Sequence, residues 1–450
     1  MEDKRYLKIG NKLAYGSGDM ATNFYYGVIT SFMLIYLTDT MGLNSGIVGT
    51  LMALSRVLDG VTDVLFGTMI DRTKTRFGKA RPWMLWTILP IAVCEVLLFS
   101  IPNMGTTAQY AYFFVIYTIA NDFFFTANNV AYATLSALIT PNKNERVQLG
   151  VFRFAFATVG SLLVAAITNR LVVGFGGGVA GWRMAAIVYA VLFIALQLWC
   201  FFCTKEISDE GEEKVEKGEK VSFLKNLKIV FSNPYFIIQL LIGTLYNVLN
   251  NITLAVGTFY MAHKLGNPDM LGTFQMTMAL PLIVGLVVTP MLVKRWGIYK
   301  VNLVSMVFST AACIPFAIAG MQGNVTLMLI ASCLRWLGAA PQIANGNALY
   351  AEVAEYSLHR DGQHVEGSIF ACNSMGTKIG QGLGTAGAGW LLAAVHYDGT
   401  LAVQPSAAIN MISFIYAVIP LIVTVIMTVL LYFHRVEMKN EEYRLKAKTN

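Results

Sequence analysis

The stretch GIVGTLMALSRVLDGVTDVLFGT, Gly46–Thr68, is long enough to cross a bilayer, yet it holds Arg56, Asp59 and Asp63. With 3.6 residues per turn, the three charges share one helical face. An ionised side chain near the bilayer centre costs roughly 2.5–3.5 kcal/mol on insertion scales, so such a group needs partners or a purpose. Two carboxylates with the Thr62 hydroxyl between them supply the oxygen donors that small hard cations take. A carboxylate raised by burial and by its neighbour is equally a proton carrier. The structural alternative is a charge network in which Arg56 neutralises one aspartate and holds the helices together.

The surrounding composition agrees with a lipid setting. The chain has 450 residues, of which 56% are hydrophobic and only 13% charged, against about 25% charged in soluble domains. Apolar runs of about 20 residues, each able to span the hydrocarbon, recur near 12–38, 46–70, 82–101, 107–138, 147–172, 183–204, 234–262, 270–292, 300–320, 325–351, 368–395 and 407–433. They predict an all-α membrane protein of twelve transmembrane helices. If both termini are cytoplasmic, only Arg170, Arg183 and Lys264 lie on the opposite face, and Arg56, Arg153, Arg335 and Lys378 lie within spans. The rest of the 33 Lys and Arg residues are then cytoplasmic, as the positive-inside rule requires. The net charge of +7 therefore reflects topology and not nucleic-acid binding. Met1–Lys12 is too polar for a secretory signal peptide. The six cysteines all lie in apolar runs, and the Cys200–Cys203 spacing reads as small helix residues more than as a redox or metal pair.

Thr204–Lys225, TKEISDEGEEKVEKGEKVSFLK, is the only long polar connection and reads as a solvated linker of mixed charge. It divides the chain into a bundle over 1–204, a central cytoplasmic loop over 205–228 and a second bundle with a cytoplasmic tail over 229–450. A weak repeat supports the division: Arg76-Phe77-Gly78 follows the second span as Arg295-Trp296-Gly297 follows the eighth. Twelve spans in two pseudo-symmetric six-helix bundles indicate the major facilitator fold, whose halves rock about a midplane site.

Other intramembrane polar residues fall in register with this reading. In Gly16-Ser-Gly-Asp19, small residues let a helix or a polar ligand approach the carboxylate. Asp19 thus reads as a substrate contact or as an interhelical ion pair. Asp122, Thr126, Asn129 and Ala133 are spaced by four, three and four, one helix face that cannot face lipid cheaply. Thr126 reads as a further cation ligand and Asn129 as a donor to a ligand hydroxyl, or either as an interhelical hydrogen bond. Arg153 is a bidentate donor to sugar hydroxyls or to a carboxylate. Gly376, Gly380 and Gly384 form two small-xxx-small steps. Lys378 lies about 15 Å from its helix end and needs an anion such as Asp59 or Asp63. Glu95 and Arg335 are intramembrane charges with no evident partner. Trp336 reads as an interface anchor, and His359 and His364 as solvated loop residues. No catalytic triad, metal-ligand cluster or phosphate loop is present in the sequence, so no enzyme is expected.

Five segments then carry a resemblance: Tyr15–Asp19; Arg56-Val-Leu-Asp59-Gly-Val-Thr-Asp63; Asp71–Pro82; Tyr350-Ala-Glu352-Val-Ala-Glu355-Tyr356 with Glu366-Gly367; and Lys378-Ile-Gly380. In this order, nearly end to end, the chain resembles the glycoside–pentoside–hexuronide:cation symporter family. The resemblance implies that Asp59, Asp63, Thr62 and Thr126 line a cation site. It also implies that Asp19 and Arg153 contact the sugar and that Lys378 sits beside the cation site. It implies inward symport of a sugar, glycoside or hexuronide with sodium, a proton or lithium. A monomer is the default for this architecture, the expected location is the cell membrane, and no other cofactor is expected. This chain departs from the family at Val64, often proline there, and at Gly18 and His364, where lysine and arginine are usual. Asn129 replaces a second sugar-binding aspartate of the family's best-known member and Ala133 its stacking tryptophan, so Asp122 is a candidate for the missing acidic contact. The competing reading is a sodium-coupled carrier of a lysolipid or other amphiphile, which the polar stripe opposes.

Overall fold

Backbone buried in hydrocarbon must satisfy its own hydrogen bonds, and a helix does so internally. The computed structural model describes residues 5–207, 223–363, 365–401 and 403–449; among these the chain is helical, with no strand. Twelve helical rods, here the first to twelfth spans, follow in order: Ile9–Thr40, Ser45–Arg72, Arg81–Leu98, 106–138, Lys143–Gly174, Gly178–Cys203, Pro234–Lys264, Met270–Trp296, Ile298–Gln322, Val325–Asp361, Glu366–Ala394 and 406–433. Each apolar run expected from the sequence lies on one of them. Shorter helices, Phe223–Ser232 and Val436–Thr449, precede the seventh span and follow the twelfth. The first of these begins inside the stretch read as linker, most of which lies outside the described residues, as does His364.

Nine of the rods are long and apolar enough to cross a membrane. The second, fourth and eleventh fall short, and these carry the Arg56–Asp63 group, the Asp122–Asn129 stripe and Lys378. On the eighth span, exposed Leu280, Val284, Val287 and Met291 form a stripe at helical spacing, the face a lipid chain would cover. Several rods also widen by π-type turns, at Asn23–Gly27, Tyr36–Thr40, Ile119–Phe125, Tyr260–Lys264 and Phe414–Val418. Such turns are rare and concentrate at functional positions.

The described residues pack as two compact units. One comprises Met1–Glu212 with Leu254–Gln275 and Thr385–Ala408; the other comprises Glu213–Thr253, Met276–Gly384 and Ile409–Asn450. In the first unit the first span lies against the fifth and sixth, and the third against the sixth. The second unit repeats the last pairing, with the ninth span on the twelfth. There too the glycine steps of the eleventh span admit the seventh: a Cβ on Gly376 would come 2.6 Å from Leu240, and one on Gly380 2.5 Å from the Thr244 carbonyl oxygen. Close backbone approach of this kind replaces the hydrophobic drive that lipid removes.

The internal repeat is structural as well as sequential. In the first unit Gly78 (φ +105°) opens a cradle for the Glu206 carboxylate, which accepts the N–H groups of Lys79, Ala80 and Arg81 at 2.7–2.9 Å. In the second, Gly297 (φ +79°) does the same for Glu437, which accepts from Ile298 and Tyr299 at 2.9 and 2.7 Å. Each carboxylate lies just past the sixth rod of its half and caps the start of the third, where helix N–H groups lack partners. Arg76 lies over the Phe77 ring and Arg295 over the Trp296 ring in matching fashion. Glu437→Ala is expected to cost about 1–2 kcal/mol by leaving two donors without an acceptor, read as a lower thermal midpoint of the purified protein. Glu437→Gln keeps one acceptor oxygen and should lose less; unchanged melting of the alanine variant would refute the cap.

Candidate functional site

The first cluster of buried polar groups grows from the second span. Ser55 and Asp59 are four residues apart and Arg56 and Asp59 three, so all three project to one side. Asp59 is 7% exposed. The Arg56 guanidinium stands 3.6 Å from its carboxylate, a single loose contact and not a fork. From the fourth span, Thr126 donates its hydroxyl to Asp59 Oδ1 at 2.6 Å. The same oxygen lies 2.9 Å from the Asn121 carbonyl oxygen. A hydroxyl has one proton, so rotating it toward Asn121 would turn a lone pair toward the space beside Asp59.

Ser55 donates to Asp122 Oδ2 at 2.7 Å, and Asp122 is fully buried on the π-type turn Ile119–Phe125. The Arg56 charge is attracted by both Asp59 and Asp122, and the guanidinium lies 5.1 Å from the Tyr26 ring centroid. First, second and fourth spans thus meet at one cation. Thr62 is buried and donates to its own helix at Asp59 O, 3.1 Å away, while Asp63 is half-buried one turn further along.

The second cluster joins the first and fifth spans. Arg153 forms a fork on Asp19, Nε to Oδ2 at 2.5 Å and Nη2 to Oδ1 at 3.2 Å. The pair is partly open, with side-chain exposures of 30% for Arg153 and 13% for Asp19. Of the two readings of Asp19, the interhelical ion pair is therefore present in this structure. Tyr132 supports the fork: its hydroxyl donates to the Tyr15 carbonyl and lies 3.4 Å from Asp19 Oδ2. The Arg153 guanidinium lies 4.7 Å from its ring, which stacks on Tyr15. A Cβ on Gly18 would come 2.5 Å from Tyr132, so the glycine before Asp19 is what admits the ring.

The remaining expected residues fall as follows. Asp122 joins the second-span cluster through Ser55 and not the Asp19–Arg153 fork, because the π-type turn faces it toward the second span. Asn129 is exposed, whereas Asn128 beside it is buried and donates to Thr87 at 2.9 Å. Lys378 is half-buried on the eleventh span, in the second unit. Glu95 is fully buried, and neither carboxyl oxygen has a hydrogen-bond partner among the described residues. Arg335 lies 5.0 Å from each of the Phe316 and Trp336 ring centroids. Trp336 is thus a buried cation–π partner and not an interface anchor. His359 lies on the last turns of the tenth span, bonded to Glu355 and stacked on Tyr443, and not in a loop. Sequence reasoning missed Ser55 and Tyr132. The signal for Ser55 was its four-residue spacing from Asp59; for Tyr132 there was none beyond an aromatic in a polar stripe.

A model of the family described as MFS/sugar transport protein matches residues 14–438. The chain is 30% identical over 447 residues to the putative glycoside/cation symporter YagG of Escherichia coli K12, covering 95% of this chain and 92% of that one. It is 27% identical over 438 residues to the isoprimeverose transporter of Lactiplantibacillus pentosus, covering 96% and 90%. Among solved structures it is similar to the nucleoside transporter NupG, with a TM-score of 0.65 at 14% identity, over 96% of this chain and 98% of that one.

Ser55→Ala is expected to destabilise the purified protein by about 1–3 kcal/mol, the usual loss when a buried charged acceptor forfeits a donor. Ser55→Thr should recover most of the thermal midpoint. Equal melting of the alanine variant and the parent would show that Ser55 does not support Asp122.

Proposed function

Because the chain belongs to the MFS/sugar transport protein family, we propose a division of labour among the buried carboxylates of a cation-coupled sugar symporter. The protein is a multi-pass membrane carrier and not an enzyme, and it moves a sugar or glycoside together with a cation. Asp59 and Thr126 form the centre of the cation site, with Asp63 and Thr62 completing its oxygen set. The ion is sodium or a proton, with lithium able to take the same oxygen set; it is cargo, and no other cofactor takes part. The observation that carries this reading is the Thr126 hydroxyl held 2.6 Å from Asp59 with a second acceptor 2.9 Å away. That hydroxyl can change from donor to ligand without moving a helix. Arg56, only loosely paired with Asp59, is the resident charge that an entering ion displaces. Ser55 donates to Asp122, whose charge also attracts Arg56, so Asp122 is assigned to the cation region.

Asp19 and Arg153 grip the sugar. Their fork uses two of the five guanidinium N–H donors, leaving others, and carboxylate lone pairs, for ligand hydroxyls. Tyr132 positions the fork; at 1% exposure its ring is not itself a stacking platform. Asn129, on the exposed side of the fourth span, is assigned a hydroxyl contact. Lys378 is assigned a coupling role on the family resemblance alone. A sugar or glycoside suits these groups better than a lipid, and an isoprimeverose transporter among the relatives supports that choice. Two six-helix halves, 1–204 and 229–450, alternate access to the site in a monomer of the cell membrane with both termini cytoplasmic. The paired glycine cradles at Gly78 and Gly297 support the halves. Each charge carried inward gains about 2.3 kcal/mol per 100 mV of membrane potential.

Uptake of a glycoside panel into membrane vesicles under imposed sodium, lithium or proton gradients tests the assignment. Asp59→Cys and Asp63→Cys should abolish cation-driven accumulation while the protein remains in the membrane. Thr126→Val should raise the half-saturating cation concentration about tenfold, the effect of one lost oxygen ligand of roughly 1.4 kcal/mol, and Thr126→Ser should restore it. Normal accumulation by Asp59→Cys would refute the cation site.

A further inference from the structure

A second set of titratable groups lies in the first unit, away from both clusters and at the far end of the first span. Asp39, on the π-type turn Tyr36–Thr40, accepts from three donors. Thr38 Oγ1 reaches Oδ1 at 2.7 Å and Tyr397 Oη reaches it at 2.8 Å, while His263 Nε2 lies 2.9 Å from Oδ2. His263 sits on the π-type turn Tyr260–Lys264, and its Nε2 is also 2.8 Å from Tyr397 Oη. Tyr397 packs edge-on against Phe259. Burial and the Asp39 carboxylate push its phenol up, so it remains a donor. With that proton on Asp39, Tyr397 can only accept from His263, which fixes Nε2 as a donor.

Three segments far apart in sequence meet here, and their backbones are pressed together around the meeting point. A Cβ on Gly399 would come 2.6 Å from both Asp39 Oδ1 and the Thr38 carbonyl oxygen. Thr258 donates to Ser31 O at 3.2 Å, and Trp390 Nε1 to Thr50 Oγ1 at 2.8 Å. Asn169 and Arg170 bind Asp269 at 3.0 and 3.2 Å and hold its carboxyl below the usual carboxylate range. All of these contacts tie ends of the first, second and fifth spans to ends of the seventh, eighth and eleventh. Among them, Asp39–His263 is the contact that sets an imidazole against a carboxylate.

We propose that Asp39, His263 and Tyr397 form a proton-sensitive latch that holds this face of the carrier closed. The inference rests on the alternating-access reading above, since a latch matters only if this face must open. The sign follows from the geometry. A proton taken from solvent at His263 Nδ1 keeps Nε2–H as donor and adds a positive charge beside Asp39, which tightens the latch. Loss of that proton leaves Nε2–H as a neutral donor and removes the positive charge beside Asp39, and the latch loosens. The other charged or titratable neighbours are half-buried Lys264 on the seventh span, Arg183 next to Trp182 on the sixth, and His396 and Asp398 flanking Tyr397. Asp398 is committed to Thr400, whose hydroxyl and N–H it accepts at 2.7 and 3.0 Å, and His396 is exposed.

Hydrogen–deuterium exchange of the reconstituted full-length protein, without substrate and corrected for intrinsic rates, reads the latch from about pH 5.5 to about pH 8.5. Peptides covering 36–42, 258–265 and 395–401 should exchange about three- to tenfold faster above the histidine range than below it. His263→Gln keeps a donor but not the charge, and should abolish that pH step, whereas His396→Gln should preserve it. Asp39→Asn and Tyr397→Phe should exchange faster across the whole range; Tyr397→Phe keeps the ring packing, so it answers even if Asp39→Asn does not fold. A pH step unchanged in His263→Gln, or lost in His396→Gln, overturns the proposal, as does exchange in Tyr397→Phe equal to that of the parent. The readout needs neither sugar nor cation. Failure here with intact cation-driven uptake removes the latch alone, and failure of uptake with an intact pH step removes the transport reading.

Discussion

A charge at hydrocarbon depth has no water to fall back on, and the geometry by which Arg56, Asp59, Asp19 and Arg153 share partners decides what the protein can do. Arg56 shows the principle. It is too far from Asp59 for a fork, it is drawn also toward Asp122, and it lies over Tyr26. A tight bidentate pair would bury both charges in a contact that nothing could displace cheaply. A loose pair is displaced at less cost. The fork of Arg153 on Asp19 is tighter but partly open, which suits a polar ligand bearing several hydroxyls better than a bare ion.

Regular helices could not deliver these groups. Asp39, Asp122 and His263 all sit on π-type turns, where an extra residue in the turn rotates the following side chains and frees a carbonyl. The Asn121 carbonyl that offers Thr126 its second acceptor belongs to such a turn. Glycines do the complementary work of bringing backbones close. Gly18 admits Tyr132, Gly380 admits the seventh span, and Gly78 and Gly297 accept capping carboxylates at positive φ. In lipid, where apolar burial gives little net drive between helices, these approaches and the interhelical hydrogen bonds are what define the packing.

Much of this architecture could be read directly from residue patterns. Apolar runs of bilayer length locate all twelve rods, because a lipid solvent leaves the chain few alternatives. Intramembrane charges stand out for the same reason, so Arg56, Asp59, Asp63, Asp19, Arg153 and Lys378 were visible as residues with work to do. The matching Arg76–Gly78 and Arg295–Gly297 turns foretold a repeat that the Glu206 and Glu437 cradles make concrete. Local spacing also put Asp122 and Thr126 on one face.

What spacing along one helix cannot supply is the identity of the partner across the gap. Only the packed helices give Thr126 to Asp59, Ser55 to Asp122 and Arg153 to Asp19, and only they withdraw Asp122 from the region of the fork. The meeting of Asp39, His263 and Tyr397 joins residues 224 and 134 positions apart, with no motif at any of the three. The amino-acid sequence by itself determined which residues must be hidden from lipid and how many helices hide them, since that depends on hydropathy and helical period. The tertiary structure alone decided which hidden charge faces which, because pairing depends on helix rotation, π-type turns and backbone approach, all of which arise between segments and not within them.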